Sequence, residues 1–401
     1  MNARFDIFSR EAMNDPYPLF SRLRERSPVC QVEPNGWWAV SRYQDVVFVL
    51  KHPELFSSAN LRADRDTLID PRLQKDPLFL DEGSIIASDP PAHGRLRKLI
   101  NGAFAPKAML RLEERIQAIA AEHVDAILGK GRFELLADLA APLPVIVIAE
   151  MLGVDPARRA DFKRWSDDAI NGLFGVELAD EEVARILQSR REFRAYFAEM
   201  IGDRRQSPRE DLISELCRAP GENETLSADE VLSMTILLLI AGNETTTNLI
   251  GNGTLALLDH PEALRRLREE PALIPGFVEE ALRYDSPVKL VTRRATEDVT
   301  LSGVTVPRGA IVVPLVAAAN RDPEVFPDPD RFDITREGRG HVSFGYGIHF
   351  CVGAPLSRME GRIAFGELLR RLPTFSREPE ELEWNQTFGL RGLKSLPLRF
   401  D

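Results

Sequence analysis

Apolar positions recur at three- and four-residue spacings through most of the chain, the period of a helix with one buried stripe. The spacing predicts helices over 15–26, with Pro16 in the first turn, and over 41–51, ending before Pro53. From Pro91 the pattern is helical almost without pause, giving 106–129, 142–152, 156–171, 181–205, 261–268 and 273–284. Gly172-Leu173-Phe174-Gly175 separates two of these and reads as a mobile connector. Ser227-Ala228-Asp229-Glu230 is a capping box, in which the serine hydroxyl and the glutamate carboxylate each accept the other's backbone N–H. It opens a long helix to about Leu258 whose first half is apolar all round, so that half runs through a core.

Period two appears only in short stretches. Val29-Cys30-Gln31-Val32 and Trp37-Trp38-Ala39-Val40 flank the turn Pro34-Asn35-Gly36 and predict a hairpin. Further β-rich runs lie at 288–295, 299–301 and 311–316, and after a last helix over 353–371. Residues 57–90 and 320–339 are rich in Pro and Asp and have no period. A connection as long as the first is usually functional or disordered. The predicted fold class is mainly α with small antiparallel β-sheets. No linker, low-complexity tract or repeat divides the 401 residues, so the expectation is a single domain over 1–401 with a core large enough to enclose a cofactor.

Composition narrows the setting. A net charge of −11 without a basic tail disfavours non-specific nucleic-acid binding. Three cysteines, Cys30, Cys217 and Cys351, imply no disulfide framework and fit a reducing compartment. Residues 1–17 carry charges throughout, and the longest apolar run, 231–241, contains Ser233 and Thr235 and is too short to span a bilayer. A cytoplasmic protein without membrane contact, and a monomer, is the expectation.

The chemistry concentrates in Phe344-Gly345-Tyr346-Gly347-Ile348-His349-Phe350-Cys351-Val352-Gly353, directly before the last helix. Unpaired N–H groups at a helix start favour a thiolate, a nucleophile or a metal ligand. Glycines let the backbone approach something bulky. On the long helix, Ala241-Gly242-Asn243-Glu244-Thr245-Thr246-Thr247 is poor helix material: Gly costs about 1 kcal/mol against Ala, and hydroxyls compete for backbone carbonyls. An acid beside an alcohol suits proton delivery. Glu280 and Arg283 share a helix face, as do His93 and Arg97.

The Phe-Gly-x-Gly-x-His-x-Cys-x-Gly stretch resembles the haem-binding loop of the cytochromes P450, with every fixed position filled, and the order of elements matches that family from end to end. The resemblance implies haem b held between the long central helix and the Cys-loop helix, Cys351 as axial iron ligand, Phe344 shielding the sulfur, and Gly345 and Gly353 shaping the loop. Propionate partners would be His93, Arg97, His349 and Arg293, with Arg294 as the substitute if the register is off by one. Ala241 and Gly242 would leave room for dioxygen, Thr245 would hydrogen-bond in oxygen activation, and Glu244 would relay protons. Glu280, Arg283 and Arg331 would form the family's structural Glu-x-x-Arg element and its partner. Pocket walls would come from Ile85, Ile86, Leu237, Ile240, Leu290, Val291, Phe388 and Leu390, an apolar set; Lys289 is expected to face solvent.

The implied activity is a monooxygenase inserting one oxygen atom of dioxygen into an apolar molecule such as a fatty acid, terpenoid, steroid or macrolide-like compound. No Gly-x-Gly-x-x-Gly follows a strand, so electrons would come from a ferredoxin or flavodoxin with its reductase. Lys98, Lys107, Arg358 and Arg362 are candidate docking cations. The alternatives are a peroxide-driven P450, which has no need of Glu244 and Thr245, and a non-catalytic haem-thiolate ligand-binding or sensor protein.

Overall fold

A computed structural model describes residues 5–59, 70–74, 84–104, 106–174, 178–218, 226–336, 340–372, 374–387 and 389–400. The chain forms two compact units. One comprises Met1–Ser57, Arg115–Ala141 and Thr245–Asp401; the other comprises Ser58–Glu114 and Pro142–Glu244. The expected central helix is observed as Ala228–Asp259, and the division between units falls within it, between Glu244 and Thr245.

Among the described residues, the first unit carries all the strands. The predicted hairpin forms from β2 (Val29–Glu33) and β3 (Trp37–Val40), antiparallel, around Gly36 at φ +67°. With β1 (Phe5–Asp6), β4 (Phe56–Ser57), β6 (Arg293–Ala295) and β9 (Ile311–Pro314) it builds a six-stranded sheet in the order β1-β2-β3-β9-β6-β4. This sheet is mixed, not purely antiparallel: β1 runs parallel to β2, and β3 parallel to β9 with Trp38 opposite Val312. No turn joins strands so far apart in sequence, so nothing local announces their direction. The remaining sheets are antiparallel: β7 (Val299–Leu301) with β8 (Val304–Val306), and β10 (Ser376–Arg377) and β5 (Arg132–Glu134) on either side of β11 (Pro397–Arg399). Val29, Val40, Val46, Leu50, Phe56, Val312 and Val316 form the core under the large sheet.

Three helices of this unit approach closely: the second half of the long helix, Ile274–Tyr284 and Ala354–Arg371. A Cβ on Gly253 would lie 2.7 Å from Phe365 Cζ, and one on Gly361 3.2 Å from Leu249. The missing side chains let the backbones meet. Phe277 and Phe365 fill the junction edge to face, 4.6 Å between centroids.

The second unit is helical, with Ala92–Asn101, Pro142–Leu152, Arg159–Phe174, Asp180–Gln206, Leu212–Cys217 and the first half of the long helix. The capping box is present: Glu230 N donates to Ser227 Oγ at 3.1 Å, and Ser227 N to Glu230 Oε2 at 2.8 Å. One expectation fails. The helix Arg159–Phe174 takes in Gly172, Leu173 and Phe174 of the supposed connector, whose Gly175 lies outside the described residues, because Gly172 is a contact point and not a hinge. A Cβ there would sit 3.0 Å from both Arg190 and Ile186, so the glycine lets Asp180–Gln206 pack close. Among the described residues no helix is long and apolar enough to cross a membrane.

Candidate functional site

In the first unit the Cys loop folds as a chain of tight turns. Gly345 N donates to Val342 O at 2.8 Å, Phe350 N to Gly347 O at 3.1 Å, and Cys351 N to Phe344 O at 2.8 Å. Gly345 (φ +73°) and Gly347 (φ +69°) take the left-handed backbone these turns require. Gly347 also has no space for anything else, since its Cβ would lie 2.7 Å from Leu50 O. His349 ends a single 3-10 turn, Gly347–His349, and Gly353 caps the helix Ala354–Arg371. Cys351 is exposed, two residues before that cap. A Cβ on Gly353 would touch its sulfur at 3.9 Å.

Arg293 and Ala295 of β6 are buried while Arg294 lies on the opposite face, donating to Gly309 O. Strand alternation therefore favours Arg293 over Arg294 as the inward cation. Leu290 and Leu390 are buried and Val291 is half-buried, on two segments joined by the Val288–Leu390 bridge and by Lys289 N donating to Gly389 O at 2.7 Å. Phe388 lies outside the described residues.

In the second unit His93 is buried and Arg97 half-buried one turn further along the helix Ala92–Asn101. Leu237 is half-buried, Ile240 buried and Ala241 exposed on the long helix; Gly242 and Glu244 are half-buried. Asn243 between them is tied down, its Nδ2 donating to Ser166 Oγ at 2.7 Å. Ile85 is buried and Ile86 exposed on the 3-10 turn Ile85–Ala87. Thr245, half-buried, begins the first unit's share of the long helix. The hydroxyls after it make tertiary bonds: Thr246 Oγ1 to Ser357 Oγ at 3.3 Å and Thr247 Oγ1 to Ala140 O at 3.2 Å. These contacts offset the poor helix propensity of the segment.

Glu280 and Arg283 form a fully buried bidentate pair at 2.7 and 2.8 Å, far from the solvated surface pair that i, i+3 spacing alone suggests. Arg283 also donates to the carbonyls of Asn320, Pro329 and Arg331. Arg331 is not the partner arginine. Its guanidinium is 70 % exposed near Asp333, and Arg336 reaches Glu280 Oε1 at 3.4 Å instead. The family spacing pointed to the wrong arginine because Arg331 meets the helix through its carbonyl, which accepts from Arg283, while its side chain faces solvent. Lys289 is a second correction: it is 5 % exposed and its Nζ reaches only Thr387 O, at 3.5 Å. Burial, with Arg391 nearby, pushes its ammonium down to about 8 against the opposing pull of Asp285.

Three titratable groups went unnoticed in sequence. Glu360, completely buried on the Cys-loop helix, has its carboxyl pushed up to about 8 by burial, opposed by a hydrogen bond with Thr246. Glu279 and His341 bracket the Cys loop from outside. A glutamate amid a helix's apolar stripe was the available signal for Glu360; the other two had none.

The cytochrome P450 family profile matches residues 176–389. Cytochrome P450 107B1 of Saccharopolyspora erythraea is 40% identical over 405 residues, covering 98% of this chain and 96% of its own. The chain belongs to the cytochrome P450 family. It is also similar to the vitamin D(3) 25-hydroxylase of Pseudonocardia autotrophica, 39% identical over 98% of this chain and 96% of that one. The solved structure of cytochrome P450 CYP109Q5 from Chondromyces apiculatus superimposes with a TM-score of 0.90 at 46% identity, covering 100% and 99% of the two chains. The fold is the P450 fold, the protein is a P450 monooxygenase, and its prosthetic group is haem b. The residues present in the first unit suit that group: an exposed thiol on a loop whose Gly347 has no room for a side chain, and a buried arginine, Arg293. Haem, when bound, supplies the dioxygen chemistry.

Proposed function

We propose that this P450 hydroxylates or epoxidises an apolar small molecule, of the fatty acid, terpenoid, steroid or macrolide-like class, in the cytoplasm and as one 401-residue domain. Cys351 is its iron ligand, and His93, Arg97, Arg293 and His349 are its propionate partners. Glu244 would relay protons from solvent and the Thr245 hydroxyl would donate a hydrogen bond in the dioxygen chemistry that haem supplies, while Ala241 and Gly242, with little or no side chain, would leave room for dioxygen. Ile85, Ile86, Leu237, Ile240, Leu290, Val291, Phe388 and Leu390 line the pocket. The relative that bears the name vitamin D(3) 25-hydroxylase supports a large apolar substrate. Electrons arrive from a separate ferredoxin or flavodoxin through its reductase.

The observation that carries this reading is the Cys351 loop, whose turns place an exposed thiol two residues before a helix cap. Its test is the carbon monoxide difference spectrum of the reduced protein. A strongly red-shifted Soret band that disappears in Cys351→Ala is the expected result; a band typical of histidine-ligated haem in the wild type rejects Cys351 as ligand. Spin-state shifts on adding members of the four compound classes then rank substrates.

A further inference from the structure

Phe344, the residue whose carbonyl accepts the Cys351 N–H, is covered on its outer face by a guanidinium. Arg358 Cζ lies 4.5 Å from the Phe344 ring centroid, within cation–π range. That arginine is not a loose surface cation. Glu279 grips it through both carboxylate oxygens, with Arg358 Nε donating to Oε1 at 2.7 Å and Nη2 to Oε2 at 2.9 Å. The fork-to-fork geometry fixes the plane of the guanidinium as well as its position.

Glu279 has a second donor. His341 Nδ1 accepts the Ser343 N–H at 3.3 Å, so the ring proton sits on Nε2 and points at Glu279 Oε2, 3.1 Å away. The His341 ring stands 6.0 Å from that of Phe344. Burial alone would raise the Glu279 carboxyl, but the hydrogen bonds from His341 and Arg358 outweigh it and hold it down to about 2. The carboxylate is therefore ionised at any working pH. The shoulder of the loop is anchored in the same helix: Ser343 Oγ donates to Leu282 O at 2.7 Å, and Asn320 Nδ2 to Ser343 Oγ at 2.8 Å.

We propose that Glu279 and Arg358 are positioning residues for the haem thiolate: Glu279 holds the Arg358 guanidinium over the Phe344 ring, with His341 as its second strut, and the clamped ring fixes the Cys351 loop. Arg358 then serves the loop and not, as its sequence position suggested, a redox partner. The proposal rests on Cys351 as iron ligand. Outer partners of this kind orient a metal's ligands, and removing one costs 10–100-fold in function or affinity.

The test uses the haem-loaded protein and follows the rate at which the reduced carbon monoxide complex loses its red-shifted band. Glu279→Gln, which keeps the side chain's shape, and Arg358→Lys, which keeps the charge but not the fork, should each speed that loss by about tenfold, the low end for an outer partner. Phe344→Leu should also speed it, and adding Arg358→Lys to Phe344→Leu should change nothing more, because the action passes through the ring. Unchanged band loss in Arg358→Lys, or fully additive effects with Phe344→Leu, overturns the proposal. If Glu279→Gln fails to load haem, the Arg358→Lys and Phe344→Leu cycle decides alone. A wild type with no red-shifted band is a different failure, that of the Cys351 assignment. Slower reduction by a ferredoxin in Arg358→Lys with band loss at the wild-type rate would return Arg358 to the docking role.

Discussion

Gly347 illustrates how a single position constrains the loop around Cys351. It combines a φ of +69° with a carbonyl, Leu50 O, where a side chain would begin. Either feature alone disfavours other residues, and together they leave no inexpensive escape, because the neighbour is backbone. Gly347→Ala should cost about 1–3 kcal/mol, visible as a lower denaturant midpoint, and the variant should retain less haem. A full midpoint with normal haem content would show that the loop relaxes freely. Arg331 and Arg336 make the complementary point. Both are arginines in the same coil, and only the second has its guanidinium on Glu280.

Between elements, the decisive contacts join the long helix to the Cys-loop helix. Thr246, Ser357 and Glu360 bring two helices together through buried polar atoms. The Glu360 carboxyl titrates near 4.5 when exposed and at about 8 in the folded chain. Its folded pKa is raised, so below about 4.5 it is neutral in both states and contributes no pH dependence. As pH rises towards 8 the unfolded chain ionises while the folded one does not. Stability then falls by about 1.4 kcal/mol per pH unit from this group, and levels off above 8. Glu360→Gln should remove that slope, so that urea unfolding at pH 5 and pH 8 differs less than in the wild type. An identical pH dependence in the variant would mean that Glu360 is ionised in the folded protein. The helices themselves were legible: predicted 142–152 is observed as Pro142–Leu152, and predicted 181–205 as Asp180–Gln206. The exception, Gly172, failed because a glycine in a periodic stretch reads equally as a break or as a close contact. The packing of Arg190 and Ile186 against it decides between them.

For the whole molecule, the Glu280–Arg283 pair ties the 320–336 coil to the helix Ile274–Tyr284: Arg283 donates to the carbonyls of Asn320, Pro329 and Arg331, and Glu280 Oε1 accepts from Asp333 N and Arg336 Nε. Breaking a buried pair strands a charge, which costs about 3–5 kcal/mol. Glu280→Ala should therefore lower global stability by that order, read from denaturant unfolding, and release the coil that leads into the Cys loop. A loss below about 1 kcal/mol, the value of an exposed pair, would place the two side chains in water.

What the sequence by itself determined is what local covalent order controls. The periods set the helices and the hairpin, Ser227 and Glu230 set a helix start, and the glycines beside Cys351 set the loop whose pattern marks a P450. What only the tertiary structure decided are the environments of side chains whose partners lie far along the chain. The buried states of Lys289 and Glu360, the choice of Arg336 over Arg331, the parallel pairing of β3 with β9, and the Glu279–Arg358 clamp on Phe344 all belong there. Charge and hydrogen-bond energies depend on distance and burial, and a residue's place in the sequence specifies neither until the chain has folded.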